Sequence, residues 1–256
     1  MATRKPGTNG TGLYLYGVLA GSAERQYGSC GINGQTVYTI SSGPVSAVVS
    51  EFSEQKISPQ RSHLAAHHEV LRKVMEESTV LPMRFGVIAE NTKALRKTLA
   101  RNIEDLEAEV RRLEGKAEMG LRVAWDLPNI FEHMVNSHPE LRMARNRIVG
   151  GYTQVTQQEK IELGSLFDRI LNEDRERHAE RVEAVLSPHC FEIKSNPCRN
   201  EKEVINLACL VGRDALAQFE NAVIEAAKLF DNNFAFDYNG PWAPHNFVQM
   251  ELNLLR

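Results

Sequence analysis

The chain has 256 residues, is 42% hydrophobic and 25% charged, and carries a formal net charge of −3. That length suits two folded cores, and the charge balance excludes a broadly basic surface for nucleic acid or anionic membrane. No run of about 18 apolar residues occurs, so no membrane-spanning helix is expected. Four cysteines, at positions 30, 190, 198 and 209, do not make a disulfide scaffold and point to reduced thiols in a cytoplasm.

Residues 1–12 are rich in Gly, Thr and Asn, with no apolar run after Arg4 and Lys5, and read as a disordered tail, not a signal peptide. Leu13 to Leu19 alternates aromatic and aliphatic side chains and predicts a strand. Ala20 to Asn33 reads as a loop. Thr36 to Ile40 and Val45 to Phe52 predict two strands joined by a tight turn at Ser42-Gly43-Pro44. A helix follows Ser58-Pro59, with Leu64, Val70, Leu71, Val74 and Met75 on one face.

Val80 to Ile88 is too short and too β-branched to prolong that helix. It predicts a strand kinked at Pro82 and Gly86, around which the N-terminal half packs. A second long helix, capped by Asn91 or Thr92, carries a narrow seam of Leu95, Leu99, Ile103, Leu106, Val110 and Leu113 and stops at Gly115. Ala117 to Trp125 alternates as a half-buried strand. Met143 to Gly151 is basic and reads as a connector. Thr156 to Leu186 predicts a long helix whose second half, Glu173 to Glu183, is almost wholly charged and reads as a solvated face. Strands are then expected at Cys190–Lys194, Val204–Val211, Phe234–Tyr238 and Phe247–Leu252. A helix over Ala215–Leu229, capped by Asp214, and a turn at Asn239-Gly240-Pro241 lie between them.

The fold class predicted is α+β in two lobes. An N-terminal ferredoxin-like domain, residues 13–126, has a sheet with helices on one face. A C-terminal α+β domain with a long helix spans residues 156–256, and residues 127–155 connect them.

Site chemistry is sparse. His63 and His67 have a usable zinc spacing, but the sequence places no third ligand, and a solvated helix start is the preferred reading. Cys190 and Cys198 read as ordinary thiols near enough to permit an adventitious disulfide. There is no Gly-x-Ser-x-Gly elbow, no phosphate-binding loop and no dinucleotide fingerprint. No acid, base and nucleophile converge, and neither a catalytic residue, a cofactor nor a metal site is predicted. Arg84, between Met83 and Phe85, reads as an ion-paired guanidinium or a surface contact. Gly240-Pro241-Trp242-Ala243-Pro244 reads as structural, with the indole packed as a plug.

Three blocks carry a resemblance. One runs from His68-x-x-Leu71-x-x-Val74 into Val80-Leu81-Pro82-Met83-Arg84-Phe85-Gly86. The second is Leu113 to Val123. The third is Asn206 to Val211, followed by a helix and Tyr238 to Val248. In this order, over nearly the whole chain, they resemble the gas vesicle protein F/L family, and most its F members. Leu81, Pro82, Arg84, Phe85, Gly86, Gly240, Pro241, Trp242 and Pro244 are the motif positions, expected to serve structure or interaction. Ala243 and His245 depart from the family's usual proline and tyrosine. The resemblance implies a minor, non-enzymatic accessory protein in the cytoplasm and on the gas vesicle. It implies binding to the hydrophobic major shell protein, support of nucleation and assembly by limiting that protein's aggregation, and other gas vesicle assembly proteins as further candidate partners. The alternative is a small-molecule-binding or enzymatic α+β protein with a pocket between the lobes near Arg84 or Trp242.

Overall fold

The computed structural model describes residues 12–54, 56–150, 155–250 and 252. The tail expected over residues 1–12 lies outside them, apart from Gly12, as do residues 151–154 of the expected connector. The molecule is α+β with antiparallel strand pairing. Its chain forms two compact units, Met1–Glu118 with Pro241–Arg256, and Met119–Gly240.

The first unit contains β1 (Gly12–Ala20), β2 (Gln26–Gly28), β3 (Val37–Ser42), β4 (Val45–Phe52), α1 (Arg61–Glu77), β5 (Val80–Pro82), β6 (Ile88–Ala89), α2 (Thr92–Arg101) and α3 (Ile103–Leu113). Its strands run in the order β2-β3-β4-β1-β5, with β6 also paired to β1. β1, not the Val80–Ile88 stretch, is the strand around which this unit is built. It pairs with β4 along its whole length and with β5 and β6 on its other edge. Leu13 to Leu19 are all buried, so both faces of β1 are covered. Val70, Leu71, Val74 and Met75 of α1 pack against Tyr14, Tyr16 and Leu19. The registry slips between Leu15 and Gly17, and a Cβ on Gly17 would lie 2.5 Å from Val80 Cγ2 and 2.9 Å from the Leu81 carbonyl oxygen. The glycine is what lets β5 approach.

Val80–Ile88 is two short strands, not one kinked strand. Met83 to Val87 bulge out between β5 and β6, and Gly86 sits at φ 92°, a left-handed backbone that favours glycine. The expected loop at residues 20–33 contains β2, paired to β3 at the sheet edge. The expected second long helix is two helices. At Asn102 the backbone leaves helical values, and the side-chain amide donates to the Thr98 carbonyl at 2.8 Å, competing with the backbone ladder.

The second unit holds most of β7 (Lys116–Trp125), then α4 (Ile130–Ser137), α5 (Pro139–Val149), α6 (Gln157–Leu186), β8 (Glu192–Ser195), β9 (Glu203–Gly212), α7 (Leu216–Ala227) and most of β10 (Phe234–Trp242). Its sheet has the order β10-β7-β9-β8. That pairing moves the division between units away from the expected boundaries at 126 and 156: β7 hydrogen-bonds to β9 and β10, not to the β1 sheet. The expected connector at 143–151 is helical up to Val149, with Pro139 starting α5 where its missing N–H is not needed. α6 begins on a reciprocal cap between Thr156 and Glu159. Its charged second half does bury a face. Val182 and Leu186 are fully enclosed, and Asp174 receives His138 Nε2 at 2.8 Å. Ala215, not Asp214, precedes α7, without a side-chain cap. β10 continues through the expected turn to Trp242. As an edge strand it tolerates Pro241, and Gly240 takes φ 124°. In place of the expected last strand, His245–Phe247 forms a single 3-10 turn.

Candidate functional site

The motif positions divide by environment. Leu81 is fully buried and opposite Val18, and Pro82 is opposite Gly17 on the outer strand. Arg84 is exposed at the start of the Met83–Val87 bulge. Phe85 turns inward, with its ring 6.0 Å from Tyr14 and 5.9 Å from His67. Gly86 donates its N–H to the Tyr14 hydroxyl at 3.1 Å. Gly240 and Pro241 are exposed, and Pro244 is buried. Trp242 is 43% exposed, so the plug expected of its indole is not formed. Enclosed beside it in the chain are Ala243 and Phe247.

The first and third blocks meet in the first unit at a cluster of rings. Tyr14 and Tyr16 point from β1 to the α1 side, their rings 4.8 Å apart. His67 of α1 lies 5.7 Å and 5.6 Å from them. His245 lies 6.2 Å from His67 and 5.9 Å from His68. Because Gly86 N–H donates to the Tyr14 oxygen, the Tyr14 hydroxyl hydrogen is free to donate to His67 Nδ1 at 2.9 Å. Tyr16 accepts from Ile32 N–H at 2.9 Å and bonds Ser50 at 2.9 Å. Burial raises both phenols well above their ordinary pKa.

His67 is 2% exposed, which overturns the solvated reading. Burial, reinforced by the neighbouring His245 and His68, pushes it down to about 4, and the Met83 backbone offsets only part of this. Burial and then His68 push His245 down to about 4 as well. The Nε2 atoms of both rings are buried without a well-aligned hydrogen bond. Imidazoles of that pKa are neutral at pH 7 and are weak bases there. His63 instead bonds the Ser58 carbonyl through Nδ1 at 3.0 Å. Among the described residues no group of three or more His, Cys, Asp or Glu converges to hold a metal ion.

A second constellation holds the C-terminal segment. Glu118 Oε2 accepts from Asn246 N–H at 2.8 Å and its Oε1 from the Asn246 amide at 2.6 Å. Glu109 Oε1 accepts from Gln249 N–H at 2.7 Å and pairs with Arg112 at 2.9 Å. Arg112 also donates to the Phe247 carbonyl. Both carboxylates are buried.

Sequence reasoning missed the burial of His67 and the roles of Glu109 and Glu118. A signal existed for the first two. His67 precedes Val70 and Leu71 by three and four positions, and Glu109 stands three after Leu106 and four before Leu113, so both share a buried helix face. In the second unit, the neighbour of the Cys190 thiol is Cys209, whose hydrogen bond lowers the Cys190 pKa, and not Cys198. All four cysteines are free thiols. Open clefts there include one of about 510 Å³ lined by Arg122, Trp125, Lys202, Glu203 and Phe236, and one of about 460 Å³ lined by Glu183, Cys190, Phe191 and Ile193. Neither is lined by Arg84 or Trp242.

The family model for gas vesicle synthesis protein GvpL/GvpF matches residues 12–249. The chain belongs to the GvpL/GvpF family. It is 26% identical over 246 residues to gas vesicle protein F of Nostoc sp. strain PCC 7120, covering 94% of this chain and 99% of the relative. It is 27% identical over 241 residues to gas vesicle protein F of Streptomyces sp. strain CB03234, covering 92% and 99%. The crystal structure of GvpF from Anabaena sp. PCC7120 superposes with a TM-score of 0.81 at 25% identity, over 94% of this chain and 99% of that one. The three blocks that carried the resemblance therefore lie within a match to GvpL/GvpF relatives that spans both units. No described helix is long and apolar enough to cross a membrane.

Proposed function

We propose that this protein is a non-enzymatic accessory factor of the gas vesicle that binds the hydrophobic major shell protein and supports nucleation and assembly by limiting its aggregation. Membership of the GvpL/GvpF family over residues 12–249 carries the reading. The physical logic is that a small subunit with a large apolar surface self-associates before it reaches the growing wall, and a partner that covers that surface keeps it available. Large apolar side chains are available for such contact: Trp242 is 43% exposed in the first unit, and Phe191 is 66% and Met143 62% exposed in the second. The chemistry of the ring cluster agrees with a non-catalytic role, because its two buried imidazoles are neutral, weak bases. Other gas vesicle assembly proteins are further candidate partners.

Co-expression with the major shell protein tests this. Shell protein recovered in the soluble fraction, in complex with this chain and only in its presence, is the expected result. Arg84→Ala and Trp242→Ala, both at exposed motif positions, are expected to weaken capture while leaving the fold intact. Absence of a complex, with shell-protein solubility unchanged, would remove direct shell binding as the mechanism.

A further inference from the structure

The segment Ala243–Gln249 crosses the first unit as a strap. Its later half is anchored through Glu118, Glu109 and Arg112, which hold the backbone or amide of Asn246, Phe247 and Gln249. Its earlier half is held differently. Ala243 and Pro244 are buried, and the His245 ring is laid against α1 beside His67 and His68. Two imidazoles from distant parts of the chain thus face each other, each with a buried Nε2 lacking a well-aligned partner. The groups around them offer no compensation for a proton. From β1 come Tyr14 and Tyr16, both neutral, from α1 comes His68, and the Met83–Val87 bulge brings Phe85 against His67 and carries the cationic Arg84. The carboxylates of Glu109 and Glu118 are engaged with Asn246, Gln249 and Arg112.

We propose that the facing histidines make this strap an acid-released latch: a proton on His245 or His67 displaces Ala243–Phe247 from α1 and uncovers the ring cluster beneath. A charged imidazole in this site is desolvated and meets a second imidazole, whereas on a released strap it is hydrated. Both rings sit at about 4 in the closed state, below the ordinary 6.5. A depressed histidine gives its full contribution above the open-state value, and loses it as pH falls from about 6.5 through 4. For His245 alone, this raises strap opening on the order of 20-fold between pH 7 and pH 5.

Hydrogen exchange of the full-length chain, read by mass spectrometry on peptides covering 243–249 and corrected for the pH dependence of intrinsic exchange, tests this. The expected result is a loss of strap protection from pH 7 to pH 5 while β1 stays protected. His245→Phe, which keeps a ring but cannot take a proton, is expected to remove the His245 share of the slope, and the double variant His67→Phe/His245→Phe to flatten the profile. His68→Ala, at an exposed position, provides a second reading should these variants fail to fold. Removing this imidazole, whose electrostatic effect holds His245 and His67 down, makes protonation of the closed state less unfavourable, so release moves to lower pH. Glu118→Gln separates the carboxylates from the rings, and its profile is expected to keep the wild-type midpoint. Equal protection at pH 7 and 5, loss in step with β1, or a midpoint that follows Glu118 and ignores the histidines would overturn the latch.

Discussion

Tyr14 joins three parts of the first unit through one oxygen. It receives the Gly86 N–H at 3.1 Å and shares a hydrogen bond with His67 Nδ1 at 2.9 Å. Tyr14→Phe leaves both partners without that bond in a closed site, so a loss of about 1–3 kcal/mol is expected in denaturant unfolding. The change should also loosen the Met83–Val87 bulge, seen as faster exchange at Gly86. Trp242 is the opposite case. At 43% exposure it lacks the enclosure for which truncation costs about 3–5 kcal/mol, so Trp242→Ala should move stability by no more than about 1–2 kcal/mol. A larger loss in thermal unfolding would show that the indole is a core residue. Arg84 and Trp242 looked alike in the sequence as motif residues, and so did Phe85 and Pro244. Motif membership does not tell which side chain turns in, because that depends on where the strand stops.

Among the elements, β1 has the least freedom. Gly17→Ala places a Cβ 2.5 Å from Val80 Cγ2 and 2.9 Å from a backbone oxygen, and the oxygen cannot rotate away. The expected cost is about 1–3 kcal/mol, with β5 displaced first, measurable as lost exchange protection at Val80 and Leu81. Most elements were legible in the sequence because their patterns are local: the alternation in β7, the apolar run of β9, the Asn91 cap, and the Thr156 start of α6. Elements whose form is set by distant partners were not. The Val80–Ile88 stretch reads as one strand until its pairing to two parts of β1 is known. Asn102 splits a continuous leucine seam through a single side-chain bond. β7 has the pattern of a half-buried strand wherever it goes, and nothing local says that its neighbours are β9 and β10. The ring cluster was illegible for the same reason, since it assembles residues 14, 16, 67, 85 and 245 across the chain.

For the whole molecule, the two depressed histidines set a direction for pH. Both bind a proton more readily unfolded than folded, so global stability should be flat above about pH 6.5 and fall toward pH 4. The ceiling is about 3 kcal/mol for each ring, and a urea series at pH 7, 6, 5 and 4 would measure it. Replacing both rings by phenylalanine should remove most of the slope in that range; an unchanged slope would assign it to carboxylates. The division of the chain has a further consequence, for synthesis. The first unit is discontinuous, and its last piece, from Pro241 onward, follows the whole of Met119–Gly240. On the ribosome the second unit can therefore emerge and fold while the first still lacks Phe247 and the amides that Glu109 and Glu118 await. A nascent chain halted before Asn246 leaves Glu109 with Arg112 but without the Gln249 N–H, and Glu118 without the two Asn246 donors. The first unit is thus completed only after the whole of the second has been synthesised, so its finished fold requires a chain extended at least to Gln249.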